Sequence, residues 1–247
     1  MTSEELLAAR TAYQATLRPT ALDAETLVAW VATLSFPTLT DLGEEAPALV
    51  EAALADCRVA ELWLWPGTPR YCHADLLGYV YAAAGDRHPR KDYHQQANRR
   101  QLSWLAAAVF TLLLEAPEAM TAAQLRDRMG AERTSALAIE HACHELAGTL
   151  KVVRCGRAPG GDPLWRPLLA ALPEVPQAID HISQLQAAAA LITHHLETAL
   201  CVTEAGLAEF FSPLFSRSRI HEAVAGLERA RELALDNLEG RQAFRLK

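Results

Sequence analysis

The amino-acid sequence predicts a mainly α fold with short β-hairpins, an α+β protein in which runs of helices are closed by small ribbons. Three observations carry this. Ala and Leu dominate a chain of 247 residues that is 51% hydrophobic, a composition that favours helix over extended sheet. Apolar residues recur at three- and four-residue spacing behind a Ser, Thr or Asp, as helix starts require. An order of helix, helix, helix, strand, turn, strand returns about every 80 to 90 residues, a period suited to a small repeated unit.

The order is plainest at the C-terminus. Ala187 to Thr198 reads as a first helix, and Thr203 caps a short second helix to Phe210, with Glu204 in the first turn where the helix dipole favours a carboxylate. Beyond Ser212-Pro213 a third helix runs from Ser216 to about Glu232, its buried face marked by Ile220, Val224 and Leu227. Strands at Leu233 to Leu235 and Ala243 to Leu246 flank a turn at Asn237-Leu238-Glu239-Gly240.

The middle of the chain repeats this. Ser103 caps an apolar helix through Leu114; Thr121 caps a second to Met129, where Gly130 supplies the stop; Thr134 opens a third. Leu150 to Cys155 and Leu164 to Arg166 are strands joined by a Gly- and Pro-containing tip. Nearer the N-terminus, Asp23 caps Ala24 to Leu34, Ala46 to Ala55 is a later helix, Val59 to Trp65 is a strand ending at Pro66-Gly67, and Ala74 to Ala84 is an extra helix. Three helices closed by a ribbon make a winged helix. The expected organisation is three tandem winged-helix domains: unit 1 with its extra helix at 1–85, a basic linker at 86–101, unit 2 at 102–170, a Pro-containing linker at 171–186 and unit 3 at 187–247.

Several functions are excluded. The longest apolar run, Trp104 to Leu114, is too short to span a bilayer, and the acidic start MTSEELLAAR is not a secretion signal. A cytoplasmic protein is expected, nucleoid-associated if it binds DNA, with no membrane contact. Five scattered cysteines, Cys57, Cys72, Cys143, Cys155 and Cys201, suggest reduced thiols rather than a disulfide framework or zinc knuckle. A net charge of −7 argues against indiscriminate coating of nucleic acid, whose affinity comes from neutralising phosphates.

Basic residues are nevertheless focused. Arg87, Arg90, Lys91, Arg99 and Arg100 oppose only Asp86 and Asp92 within one stretch that also holds Tyr93, His94 and Gln95, a mixture suited to a phosphate backbone and base edges. In the last unit the third helix opens with Arg217, Ser218, Arg219 and His221, where a winged helix meets the major groove and arginine can pair with guanine. In the middle unit, Arg133, Thr134, Ser135 and His141 open the third helix, while Lys151, Arg154 and Arg157 on the wing suit backbone phosphates; Glu132, Glu140 and Glu145 would repel DNA from the same face. Double-stranded DNA is the expected partner, with a protein partner as the other option.

Chemistry is harder to place. His141 and His144, one helical turn apart beside Glu140 and Glu145, lack a second ligand pair, and His194-His195 point apart on a helix, so no metal and no cofactor are expected. Asp23, Asp41, Glu44 and Glu45 have the carboxylates of a general base, with no pattern converging them on a pocket. Trp63 and Trp65 alternate along a strand, one for the core and one free to stack.

The segments ALADCRVAELWLWPGTPRYCHADLLGYV (53–80), LAAAVFTLLLEAPEAMTAAQLRDRMG (105–130), HELAGTLKVVRCG (144–156) and ALITHHLETALCVTEAGLAEFFSPL (190–214) follow one another in an order that resembles the AlkZ-like (YcaQ-like) DNA glycosylase family, which is built on tandem winged helices. The resemblance implies DNA binding in repair. It also implies a glutamine, any residue, glutamine motif in the first unit that positions the attacking water. Here that place reads Leu34-Ser35-Phe36-Pro37, and the literal match Gln184-Leu185-Gln186 lies ahead of the third unit, where the resemblance puts no chemistry. The expectation is therefore a non-catalytic DNA-binding protein of DNA repair or transcriptional regulation. The alternatives are a glycosylase acting on alkylated or crosslinked bases through a substitute carboxylate, and a winged-helix scaffold for protein partners.

Overall fold

The computed structural model describes residues 2–86, 88–130 and 134–247. The chain runs α1 (Ser3–Leu17), α2 (Ala24–Thr33), α3 (Leu39–Leu42), α4 (Ala46–Ala55), β1 (Val59–Leu62), β2 (Arg70–His73) and α5 (Ala74–Ala84). It continues through α6 (Pro89–Asn98), α7 (Trp104–Glu115), α8 (Ala122–Met129), α9 (Ala136–Ala147), β3 (Val152–Arg157) and β4 (Pro163–Pro167). The remainder is α10 (Leu168–Ala171), α11 (Glu174–Ile179), α12 (Gln184–Ala199), β5 (Val202–Thr203), α13 (Glu204–Phe210), α14 (Arg217–Arg229), β6 (Leu233–Leu238) and β7 (Arg241–Leu246). Helices joined to three small antiparallel sheets give the α+β class expected.

Local chemistry sets the helix starts. Asp23, Ser103, Thr121, Ser135, Ser183, Thr203 and Ser216 each accept a hydrogen bond from a backbone amide of the first turn, a contribution of about 1 kcal/mol per cap. The last hairpin pairs Leu233 with Leu246 through to Leu238 with Arg241. Its two turn residues, Glu239 (φ 53) and Gly240 (φ 79), are both left-handed, as a turn that follows the strand twist requires. These strands run further than their apolar residues suggested, because the ladder carries on through the solvent-facing Asp236 and Asn237.

Three features were not foreseen. α1 buries none of its residues and so has no apolar stripe to betray it. Very short first strands close the second and third sheets: Met120 exchanges two 2.9 Å backbone hydrogen bonds with Trp165, and β5 pairs with β7. Both stretches expected as linkers are helical. α6 buries Tyr93 and Ala97 against α7, with Tyr93 Oη 3.0 Å from Thr111 Oγ1 and its ring edge-on to Phe110. Leu172 and Val175, at and within α10–α11, are buried in the main core. Surface charge masked a few apolar anchors in each.

The largest core runs through the chain, joining Phe36, Leu62 and Trp65 to Leu150 and Val153 and to Leu191, Phe211, Ile220 and Phe244. Smaller cores gather around Phe110 and Trp165, and around Leu27, Val31 and Leu54. β3 presses on α4 so closely that a Cβ on Gly156 (φ +72) would stand 2.9 Å from the Ala55 Cβ. Gly156→Val is expected to destabilise the protein by about 1–3 kcal/mol in urea titration. Gly160→Ala, whose Cβ meets nothing within 4 Å, should stay within about 0.5 kcal/mol of the parent. Among the described residues no helix is long and apolar enough to cross a membrane.

Candidate functional site

The basic residues selected from the sequence have divergent fates. Arg154 is corrected outright: its guanidinium is buried, donating through Nε to Glu61 Oε2 at 2.6 Å and through Nη1 to Glu51 at 2.6 Å. Burial alone would loosen its proton, but the hydrogen bonds to Glu61 and Glu51 outweigh it and hold its pKa above the ordinary value. It ties β3 to β1 and α4, and its burial keeps it from phosphate. Lys151 is likewise buried, on Asp86 at 2.9 Å. Arg157 is half exposed, paired with Glu51 at 3.1 Å and donating to the Gly161 carbonyl.

On α14, Arg219 pairs with Glu222 at 2.7 Å and His221 Nδ1 lies 2.9 Å from Glu204. Arg217 and Ser218 are exposed in the first turn. Arg99 and Arg100 are exposed where α6 ends. Arg87 and Arg133 lie outside the described residues, as do the side chains of Arg90 and Lys91. Among the described residues, Arg217, Arg99 and Arg100 keep exposed surfaces.

A cavity of ≈ 140 Å³ opens elsewhere, beside Leu34–Pro37. These four residues follow α2, the first two tied to α12 and the last two to β2. His194 Nε2 lies 3.1 Å from the Leu34 carbonyl, and His195 Nδ1 lies 2.9 Å from Ser35 Oγ. Arg70 donates to the Phe36 carbonyl at 3.0 Å, and the Tyr71 amide to the Pro37 carbonyl at 2.8 Å. Phe36 has φ 52, a left-handed conformation that a non-glycine residue holds only when its surroundings insist.

The walls are aromatic and charged. Trp30, Phe36 and Phe210 line the cavity together with Arg10, Asp41 and Arg70. An engineered cavity of about 150 Å³ accepts benzene, so this one is the size of a single aromatic ring. His195, stacked on Phe210 with centroids 4.2 Å apart, sits just behind. Burial, then the charges of Arg10, His194 and Arg70, pull its pKa down to about 3, so the ring is neutral at physiological pH. Asp41 is exposed at the rim; its Oδ2 accepts from the Thr38 amide at 2.7 Å and hydroxyl at 2.8 Å while capping α3. Arg70 sits over the Trp65 and Phe210 rings, 5.4 and 5.1 Å from their centroids, and burial lowers its pKa.

The other carboxylates do not reach this place: Asp23 is spent capping α2, and Glu44 and Glu45 are exposed. Trp63 is not free to stack on a ligand, because it packs on His144 at 4.2 Å, and His144 meets Trp165 edge-on at 5.2 Å. His141 and His144 therefore build no metal site, and among the described residues no group of three or more His, Cys, Asp or Glu is placed to hold one. Trp65 instead donates from Nε1 to the Phe210 carbonyl at 2.8 Å and backs the cavity. Two scattered cysteines do meet: the Cys155 thiol hydrogen-bonds Cys57 and lowers its pKa to about 7. Gln186 caps α12 with Ser183, an ordinary use of an exposed glutamine.

Of this constellation, sequence reading singled out Leu34–Pro37, Asp41, Trp65, His194 and His195, each separately. It missed Arg10, Arg70 and Phe210, which carry no motif. The chain matches the family model for DNA glycosylase AlkZ-like proteins over residues 42–247. The match begins just after the cavity segment. No curated protein matches the sequence. Among solved structures, the DNA glycosylase AlkZ of Streptomyces sahachiroi aligns with a TM-score of 0.65 and 18% identity, covering 100% of this chain and 70% of that one, a likeness of fold.

Proposed function

Because the chain belongs to the AlkZ-like DNA glycosylase family, we propose that it is a DNA-repair protein that binds double-stranded DNA and receives one damaged base in the cavity beside Leu34–Pro37. A single observation carries this reading: a ring-sized hollow, walled by Trp30, Phe36 and Phe210, with Asp41 and Arg70 on its lining. Proteins that read a base outside the stack hold it between aromatic side chains with polar groups on its edge. We read the three repeats as winged-helix units divided near residues 85, 101, 170 and 186, with Arg217 and Ser218 entering a groove and Arg99 and Arg100 on phosphates. Its place would be the cytoplasm, on the nucleoid.

Recognition without hydrolysis is the reading we favour, because neither glutamine that the family resemblance implies is present in Leu34–Pro37. A second reading is favoured by Asp41, whose Oδ1 makes no hydrogen bond among the described residues. As a general base, Asp41 would take a proton from water as its oxygen bonds to the sugar C1′, and the electrons of the broken glycosidic bond would leave with the base.

Fluorescence anisotropy at low salt with duplexes that do or do not carry an alkylated pyrimidine tests both. Lesion duplex is expected to bind about tenfold tighter, a difference of about 1.4 kcal/mol, and Trp30→Ala should erase that preference. Absence of duplex binding at low salt, where phosphate contacts are strongest, would remove the proposal. Duplex-free protein that copurifies with another protein would instead favour a scaffold. Release of free base from the lesion duplex, abolished in Asp41→Asn, would establish the second reading.

A further inference from the structure

Several cations of this chain are neutralised internally. Arg58 meets Glu25, Lys151 meets Asp86, Arg154 meets Glu51 and Glu61, Arg219 meets Glu222 and Arg245 meets Asp236. Arg70 differs. It is half-buried on the cavity wall of an acidic chain, and no carboxylate oxygen lies within 4 Å of it among the described residues.

Its geometry is held and one-sided. The distances from the guanidinium to the Trp65 and Phe210 rings, 5.4 and 5.1 Å, and the 5.9 Å between those rings form a nearly equilateral triangle. Both rings therefore lie on one side of the cation, and the other side is left to the cavity. Nη1 is engaged by the Phe36 carbonyl at 3.0 Å. Nε is sealed from solvent without a hydrogen-bond partner among the described residues. Nη2 makes no hydrogen bond among the described residues and, unlike Nε, is not sealed. Arg10 lines the same cavity, and both arginines act on His195 behind it, so the local field is positive. Asp41, the acid on this wall, lies beyond ion-pair distance and is itself bound to Thr38.

We propose that Arg70 binds a DNA phosphodiester flanking the base that enters the cavity, presenting Nη2 to the phosphate while Trp65 and Phe210 fix the plane of the guanidinium. This rests on the reading of the cavity as a base-binding site. The cavity has room for one ring and none for the sugar and phosphate attached to it, so the backbone must lie at the rim, which is where half-buried Arg70 stands. Its bond to Phe36 then has a second use: the residue that holds the strained wall of the base pocket also holds the strand.

The test is the salt dependence of binding to lesion duplex. Neutralising one phosphate contact lowers the slope of log affinity against log salt by about 0.9, so Arg70→Gln should lose about that much slope while Arg70→Lys, which keeps the charge, should retain it. A purely structural role at Phe36 would show instead as equal losses in the two variants. Methylphosphonates placed one at a time along the lesion strand make the same measurement on the unaltered protein, so the test survives a variant that does not fold. One position should reproduce the Arg70→Gln loss, and that position should be silent in Arg70→Gln. Lesion-selective binding with no sensitive position, or with Arg70→Gln at the parent slope, overturns the phosphate contact and leaves the base pocket standing. Failure of the protein to bind any duplex overturns both.

Discussion

Arg154→Met is expected to remove about 3–5 kcal/mol of stability, because it leaves two acceptors of a buried ion pair without their cation. Glu61 is 6% exposed and takes both Nε and Nη2 of Arg154 at 2.6 and 3.1 Å, while Glu51 takes Nη1. Methionine fills the space of the aliphatic stem but offers no donor. Tyr71 Oη, 3.4 Å from Glu61, is too distant to compensate, and its pKa is pushed up to about 12 by burial and then by the Glu61 charge. Converting the acid as well, in Arg154→Met with Glu61→Gln, should recover a large part of the loss, since a neutral amide tolerates burial far better than an orphaned carboxylate. Urea titration of the two single variants and the double one measures the coupling. A loss below about 1 kcal/mol for Arg154→Met would mean that water reaches Glu61 and that the pair behaves like a surface one. The same network joins β3 to β1 and α4, so unfolding of these elements should remain a single transition in the parent.

Acid is expected to act through His195. Its pKa is about 3 in the folded protein against an ordinary 6.5, the largest cause being burial and the next the Arg10 charge. Between those values the unfolded chain binds a proton that the folded chain refuses, so stability is complete above about 6.5 and falls as pH drops toward 3, by up to about 1.4 kcal/mol per pH unit. The groups that press on the imidazole, Arg10, His194 and Arg70, are all basic, so none of them would welcome its charge. His195→Gln keeps a hydrogen-bonding partner for Ser35 Oγ and does not titrate. The gap between parent and variant should narrow or reverse by about 3 kcal/mol from pH 6.5 to pH 4, read as urea midpoints. Parallel curves would mean that His195 is already charged in the folded state. Because His195 and His194 hold Ser35 and Leu34, protonation of the folded protein should loosen the cavity only as pH approaches 3, and lesion preference should persist at pH 4.

How much of this was readable without coordinates differs by level. Caps such as Ser103, Thr121, Thr203 and Ser216 mark helix starts within a residue or two, because the groups that satisfy one another lie within a single turn. The apolar face of α14 and the turn at Gly240 were readable for the same reason. α1 and α6 were not, since a helix that buries nothing, or one aromatic residue under a charged surface, has too little periodicity to register. Among the sites, Leu34–Pro37 was marked by a family resemblance and not by its own residue types. Arg70 and Phe210 were silent.

The sequence by itself determined the α+β class and many of the helix starts, because capping, periodicity and turn chemistry act between near neighbours. Only the tertiary structure decided which charges are available. Arg154 looks like any wing arginine until Glu61, 93 positions away, closes on it, and Arg70 looks ordinary until no acid does. Burial and ion pairing are properties of distance in space, and residues that meet across the shared core carry no record of it in their spacing along the chain.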